Sequence, residues 1–175
     1  MKIVLNNDSA MKCLDNSIKG PDLYKAMSDF TISAYKDTDK FNNLDFDVII
    51  TILRAALPIG ITLYQLTNKQ VGFVSAIRQK DLSIEMTYKN IPHFKRPLIV
   101  DGWVASGNTI AAVVKKFEIK EVNMLALIAS KQALELIKPD NYVIGHLAQN
   151  LTPEHYIIPP EPFRSRDGGN DMFFL

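Results

Sequence analysis

Residues 97–109, PLIVDGWVASGNT, place one acid, two hydroxyls and a run of small residues between an apolar stretch and the start of a helical pattern. The apolar run Leu98–Val100 reads as a buried strand that sets the Asp101 carboxylate at its C-terminal end. Gly102, Ala105, Ser106, Gly107 and Asn108 follow as a loop, with Trp103 and Val104 inside it, and a helix is expected from Thr109–Ile110 onward. Small residues let backbone N–H groups approach an anion, and the helix start adds unpaired N–H donors and a positive dipole end. Ser106 and Thr109 supply hydroxyl donors, with Ser106 also a candidate helix cap. An acid for sugar hydroxyls beside a phosphate cradle suits a ribose 5-phosphate. The segment has no Lys after Gly107, so it is not a Walker loop, and it lacks the G-x-G-x-x-G of a dinucleotide fold. The same strand–acid–Ser/Gly–helix succession is also an ordinary α/β connection.

Two arginines stand at comparable places. Phe46–Leu53 reads as a buried strand that ends at Arg54 and opens into Ala55-Ala56-Leu57, and Val71–Ile77 reads as a second strand that ends at Arg78. Helices are expected over 21–36, where Leu23, Met27, Phe30 and Ala34 keep helical spacing, and over Pro58–Thr67. Residues 78–92 are mixed and polar, suiting a loop or exposed hairpin. Beyond the Thr109–Phe117 helix, Val122–Ala129 and Asn141–Leu147 read as strands around a short Lys131–Lys138 helix. Strands alternating with helices predict an α/β fold, a mainly parallel sheet with helices on both faces, in one domain whose core spans about 46–150. Ligands of such sheets sit at the carboxyl ends of the strands, where Arg54, Arg78 and Asp101 all fall.

Composition narrows the partners. Twenty basic residues against nineteen acidic ones leave a net charge of +1, so no global field favours nucleic acid or an anionic membrane. No apolar run approaches a membrane span, and the first residues are too short an apolar run for a signal peptide. Cys13 is the one cysteine, so no internal disulfide is possible, and a cytoplasmic location is the expectation. Cys13 lies in a polar segment and reads as a surface thiol; His93, His146 and His155 are scattered without metal-ligand spacing.

On these residues the chain resembles the type I phosphoribosyltransferases, most closely the uracil branch. The family's V-D-P-M-L-A-T-G-G-T loop is matched by Val100-Asp101-Gly102-Trp103-Val104-Ala105-Ser106-Gly107-Asn108-Thr109, and its I-L-R-A-G-L turn by Ile52-Leu53-Arg54-Ala55-Ala56-Leu57. Val71-Gly72 through Ile77-Arg78, Leu127–Ser130 and His155–Pro159 follow further family segments in order. The resemblance implies transfer of ribose 5-phosphate from phosphoribosyl diphosphate to a base, with uracil first, using Mg2+ held mainly by substrate and water. It implies that Arg54, with Ala55, and Arg78 clamp the diphosphate, that Asp101 accepts ribose hydroxyls, and that 105–109 wrap the 5-phosphate. It further implies a C-terminal lid over about 151–175, with Ile157, Ile158 and Gly168 at the base and Asp167 near the diphosphate, and a homodimer; Arg166, a further candidate at the base, has no counterpart in the family and reads equally as a solvated loop charge.

The chain departs from the family in places. Ala56 stands where the family has Gly, a cost if that backbone needs positive φ. Gly102 stands where most branches carry a second acid, and Trp103 reads equally as a core aromatic or a ligand contact. The segment after Ile158 is rewritten relative to the family's P-G-L-G-D-A-G-D-R. Two alternatives therefore stay open: the same chemistry on another base, and a catalytically silent module that binds a nucleotide or phosphoribosyl diphosphate.

Overall fold

A computed structural model describes residues 1–158 except 7, 16, 37–40, 42–43, 80–82 and 154, and at Arg78 the backbone alone. The strands are β1 (Lys2–Val4), β2 (Val48–Leu53), β3 (Gln70–Arg78), β4 (Ile84–Asn90), β5 (Pro97–Val104), β6 (Asn123–Ser130) and β7 (Asn141–Ala148). The helices are α1 (Asp8–Lys12), α2 (Gly20–Lys36), α3 (Leu57–Thr67), α4 (Asn108–Lys116) and α5 (Lys131–Ile137).

All seven strands join one sheet in the order β1-β7-β6-β5-β2-β3-β4, parallel throughout except for the β3–β4 pair. The central strands are apolar on both sides because both sheet faces are covered. On one face Ile49, Leu98, Val100, Leu125, Leu127 and Val143 pack with Leu23, Met27 and Phe30 of α2 and Ile59 and Leu63 of α3. On the other, Val48, Ile50, Ile52, Ile99, Met124 and Ile144 pack with Ile110 and Val113 of α4 and Ala133 and Ile137 of α5. A parallel sheet buried on both faces reads in sequence as near-continuous apolar runs.

The chain leaves β2 toward β3 on one side, whereas β5 leads through α4 to β6 on the other. The strand order therefore reverses between β2 and β5, and the crevice at their carboxyl ends is where open α/β sheets place ligands.

Several expectations need correction. β5 does not stop at Val100: it runs on through Asp101-Gly102-Trp103-Val104 because those residues keep pairing with β6, Asp101 opposite Ala126 and Trp103 opposite Ile128. Pairing of β5 with β2 ends at Thr51 opposite Val100, so Asp101 sits at the level where β2 peels away. The polar 78–92 segment contains β4, an antiparallel edge strand on β3 with a register shift at Ser75/Ala76, in line with the hairpin alternative. The N-terminal residues, which carry no motif, add β1 as an edge strand beside β7. Cys13 is not a surface thiol. It is fully buried with Ala10 and Phe30 in the first core, and its Sγ donates to the Ser9 carbonyl at 3.3 Å.

Candidate functional site

Asp101 is 8 % exposed, and its Oδ1 accepts the Gly102 N–H at 2.7 Å. Burial raises its pKa from 3.8 to about 7, opposed by hydrogen bonds from the backbone of Gly102 and Trp103. The carboxyl therefore stands near its midpoint at neutral pH, ready to lose its proton to any environment that donates hydrogen bonds or brings positive charge.

The loop that follows is shorter than the sequence suggests, Ala105–Gly107, and its shape is held from β6 and α5. The Ser130 hydroxyl donates to the Ala105 carbonyl while accepting the Ala133 N–H at 2.9 Å as the N-cap of α5. Gly107 has φ +82°, and a Cβ there would come within 3.1–3.2 Å of Ala133. Glycine is thus required twice over, by the backbone angle and by the close approach of α5. Gly107, not Ser106, is the N-cap of α4, and no side chain caps that helix. A helix start without a side-chain cap offers N–H donors of the kind that suit an anion. Ser106 is 5 % exposed, and its Oγ lies 3.5 Å from the Asn108 N–H.

Asp101 and Trp103 through Ile110 line one cavity of about 50 Å³, the size of a small anion. Of the residues selected from the sequence over 101–109, all but Gly102 line this single concavity. Trp103 packs against the core clusters on its flanks, as its core reading expects, and also lines this cavity.

The arginine turn meets β5 directly, at Gly102. Arg54 is exposed at the end of β2, the Leu53–Arg54 peptide is cis, and the turn closes with the Leu57 N–H on the Arg54 carbonyl at 3.0 Å. A Cβ on Gly102 would lie 3.0 Å from the Ala55 Cβ and 3.1 Å from its carbonyl oxygen. No acidic side chain fits at 102 without moving the Arg54 turn, which is a physical reason for the missing second acid. Ala56 carries no penalty: its φ is −85° and its side chain is fully buried, so the sequence-level concern over a lost glycine falls away.

Arg78 is the last residue of β3, three positions beyond Ser75, the partner of Leu53. That puts its backbone about 10 Å further along the strand direction than the end of β2. Ile157 is 5 % exposed and packs with Leu14, Ile128 and Ala148, and Trp103 and Ala105 touch the same cluster. Its side chain is therefore core. Its bridge to Leu151 is closed by Thr152 N–H to Tyr156 O (2.8 Å) and Ile158 N–H to Asn150 O (3.2 Å), which turns the main chain of 157 outward. Ile158 is 47 % exposed. Arg166, Asp167 and Gly168 lie outside the described residues. Sequence reasoning missed Ser130 and Ala133, which shape the loop without touching its contents. The S-K-Q-A succession at the end of an apolar run was the available signal, a serine cap followed three residues later by its donor.

Among the described residues no three His, Cys, Asp or Glu side chains cluster as a metal site, and no helix is long and apolar enough to cross a membrane. A lone carboxylate beside a phosphate cradle still fits Mg2+, which takes one or two carboxylates and completes its shell with substrate oxygens and water. Mg2+ would sit there mainly among substrate oxygens and water, with Asp101 acting on it through the ribose hydroxyls it accepts.

No curated protein matches the chain. Among solved structures it is similar to the AQ2163 protein from Aquifex aeolicus, at 20% identity over 100% of this chain and 99% of that one, with a TM-score of 0.79. It is also similar to a xanthine-guanine-hypoxanthine phosphoribosyltransferase from Helicobacter pylori (23% identity, 70% and 83% coverage, TM-score 0.53). An orotate phosphoribosyltransferase from Aeropyrum pernix gives 19% identity, 71% coverage of each chain and a TM-score of 0.52. These likenesses carry the fold. Residues 19–150 match the family model for the phosphoribosyl transferase domain, and with the acid, the loop and the arginine turn gathered at one switch point, the chain belongs to that family.

Proposed function

We propose that the protein transfers the ribose 5-phosphate of phosphoribosyl diphosphate to a ring nitrogen of a nucleobase, with uracil as the base. The C1–O bond to the diphosphate breaks and its electron pair leaves with the diphosphate, while a C1–N bond forms and the ring nitrogen's N–H bond breaks, its proton passing to the departing diphosphate or to water. The single observation that carries this reading is the cavity lined by Asp101 and Trp103–Ile110 with the Arg54 turn packed against Gly102.

Each group has a task set by its chemistry. Asp101 accepts ribose hydroxyls, and the amides and hydroxyls of 105–109 take the 5-phosphate. Arg54, Ala55 and Arg78 meet the diphosphate, where negative charge collects as the C1–O bond breaks. Donors aimed at developing charge stabilise the transition state more than the ground state. A guanidinium suits this because its planar fork binds two oxygens at once. Asp167 is assigned to the Mg2+-diphosphate, and the main chain at Ile157, Ile158 and Gly168, with Arg166, to the base. Mg2+ would neutralise the leaving diphosphate when bound. A homodimer is the proposed assembly, which light scattering on the purified chain tests.

Uracil rests on the motif resemblance. The names of two solved structures of similar fold, a xanthine-guanine-hypoxanthine and an orotate phosphoribosyltransferase, favour a second reading in which only the base differs. Release of diphosphate from phosphoribosyl diphosphate and Mg2+, measured with uracil, orotate, adenine, hypoxanthine, guanine and xanthine in parallel, decides between them. Turnover with uracil supports the proposal, and turnover with another base alone corrects the base. Silence across the panel overturns the enzyme and leaves a binding module.

A further inference from the structure

A larger cavity, about 640 Å³, opens elsewhere, between β4 and α4 on the face of the sheet that carries the second core. Its lining shares no residue with the Asp101 cavity. Ile84, Met86 and Ala112 form an apolar floor, and Lys89, Lys115 and Lys116 stand around it. The β3–β4 register puts Ile84, Met86 and Lys89 opposite Arg78, Ala76 and Val74, a set of alternate β3 positions whose buried member, Val74, lies in the α4 core. That is why these β4 side chains face the helix. Lys115 and Lys116 belong to the last turn of α4, the end away from Gly107.

None of the three lysines has an ion-pair partner among the described residues, and no acid is among the described lining. Two of them suit the negative end of the α4 dipole, but Lys89 comes from the facing strand and gains nothing from it. Three like charges around one concavity repel one another until an anion enters. The volume lies within the range of about 300–1,000 Å³ usual for small-molecule sites, and the floor offers a ring an apolar surface.

We propose that this cavity is a second anion site, separate from the catalytic crevice, that takes a nucleotide: its ring on Ile84, Met86 and Ala112, its phosphates among Lys89, Lys115 and Lys116. The inference does not depend on the phosphoribosyl reading, since it uses none of those residues.

ATP serves as the probe. Calorimetric titration of the full chain with ATP, in excess phosphoribosyl diphosphate and Mg2+, is expected to show one ATP bound per chain. The K89A/K115A/K116A variant is expected to bind ATP about tenfold or more weakly, with a melting temperature changed only slightly because all three side chains are exposed. A milder K115Q/K116Q variant is expected to weaken binding to a lesser degree. Gly107→Ala, which damages the first site, leaves ATP binding as it is, so failure of the two sites is told apart. Absence of ATP binding to the wild-type chain, equal binding by the triple variant, or loss of binding in Gly107→Ala overturns the proposal.

Discussion

Burial holds the Asp101 carboxyl near a pKa of 7, well above the ordinary 3.8, so the folded chain prefers this acid protonated. A group whose folded pKa is raised contributes stability that is full below the unfolded value and is lost as pH rises through the folded one. The window here runs from about pH 4 to about pH 7. The melting temperature of the wild-type chain is therefore expected to fall across that window by an amount that Asp101→Asn removes, since the amide keeps the shape and bears no charge. Scanning calorimetry of both proteins at several pH values checks this. The same substitution is expected to cut turnover about tenfold or more, because a neutral amide accepts hydroxyls more weakly and cannot face a cation. Stability gained with activity lost would mark Asp101 as a functional acid; unchanged turnover on folded protein would remove it from the site. Ribose hydroxyls favour the ionised form, so ligand binding near pH 6 is expected to release a proton from Asp101, and binding near pH 8 to release almost none. Titrations in buffers of different ionisation enthalpy read that difference.

Elements legible in the sequence were those whose burial leaves an unbroken apolar run or a helical stripe. FDVIITIL and PLIV announce β2 and β5, and Leu23, Met27, Phe30 and Ala34, all fully buried, announce α2. What escaped was set by tertiary pairing. Asp-Gly-Trp-Val looks like a loop by composition, yet it is strand because β6 runs alongside it. β1 is three residues long and exists only as an addition to β7. Cys13 is buried because α1 and α2 close over it, which no local pattern announces. Of the site, the acid, the loop and the arginine turn were readable from residue types. Their mutual contact was not, because it rests on missing side chains: Gly102 touches Ala55, and Gly107 touches Ala133. Gly107→Ala is expected to cost about 1–3 kcal/mol and to weaken phosphoribosyl diphosphate binding, as thermal melts and calorimetry can show. Gly102→Asp, which restores the acid found in most branches of the resembled family, is expected to lose activity because its Cβ displaces the Arg54 turn. A gain of activity in that variant would contradict the packing described.

Across the whole molecule, the sheet order places the ends of β2 and β5 at the reversal of topology, and every described residue of the phosphate cradle hangs from the carboxyl side of β5 or the start of α4. Ligand binding there joins elements from both halves of the sheet, so it is expected to stabilise the fold as a unit. With ligand at about 100 times its Kd the gain is about 2.7 kcal/mol, read as a higher melting temperature in the presence of phosphoribosyl diphosphate and Mg2+. Hydrogen exchange locates the contact and so tests the central claim most directly. On addition of phosphoribosyl diphosphate and Mg2+, amide exchange is predicted to slow most in peptides spanning 101–109, beyond the smaller, uniform slowing that stabilisation of the whole fold gives to β1 and β7. Unchanged exchange across 101–109, with or without protection elsewhere, would contradict the account.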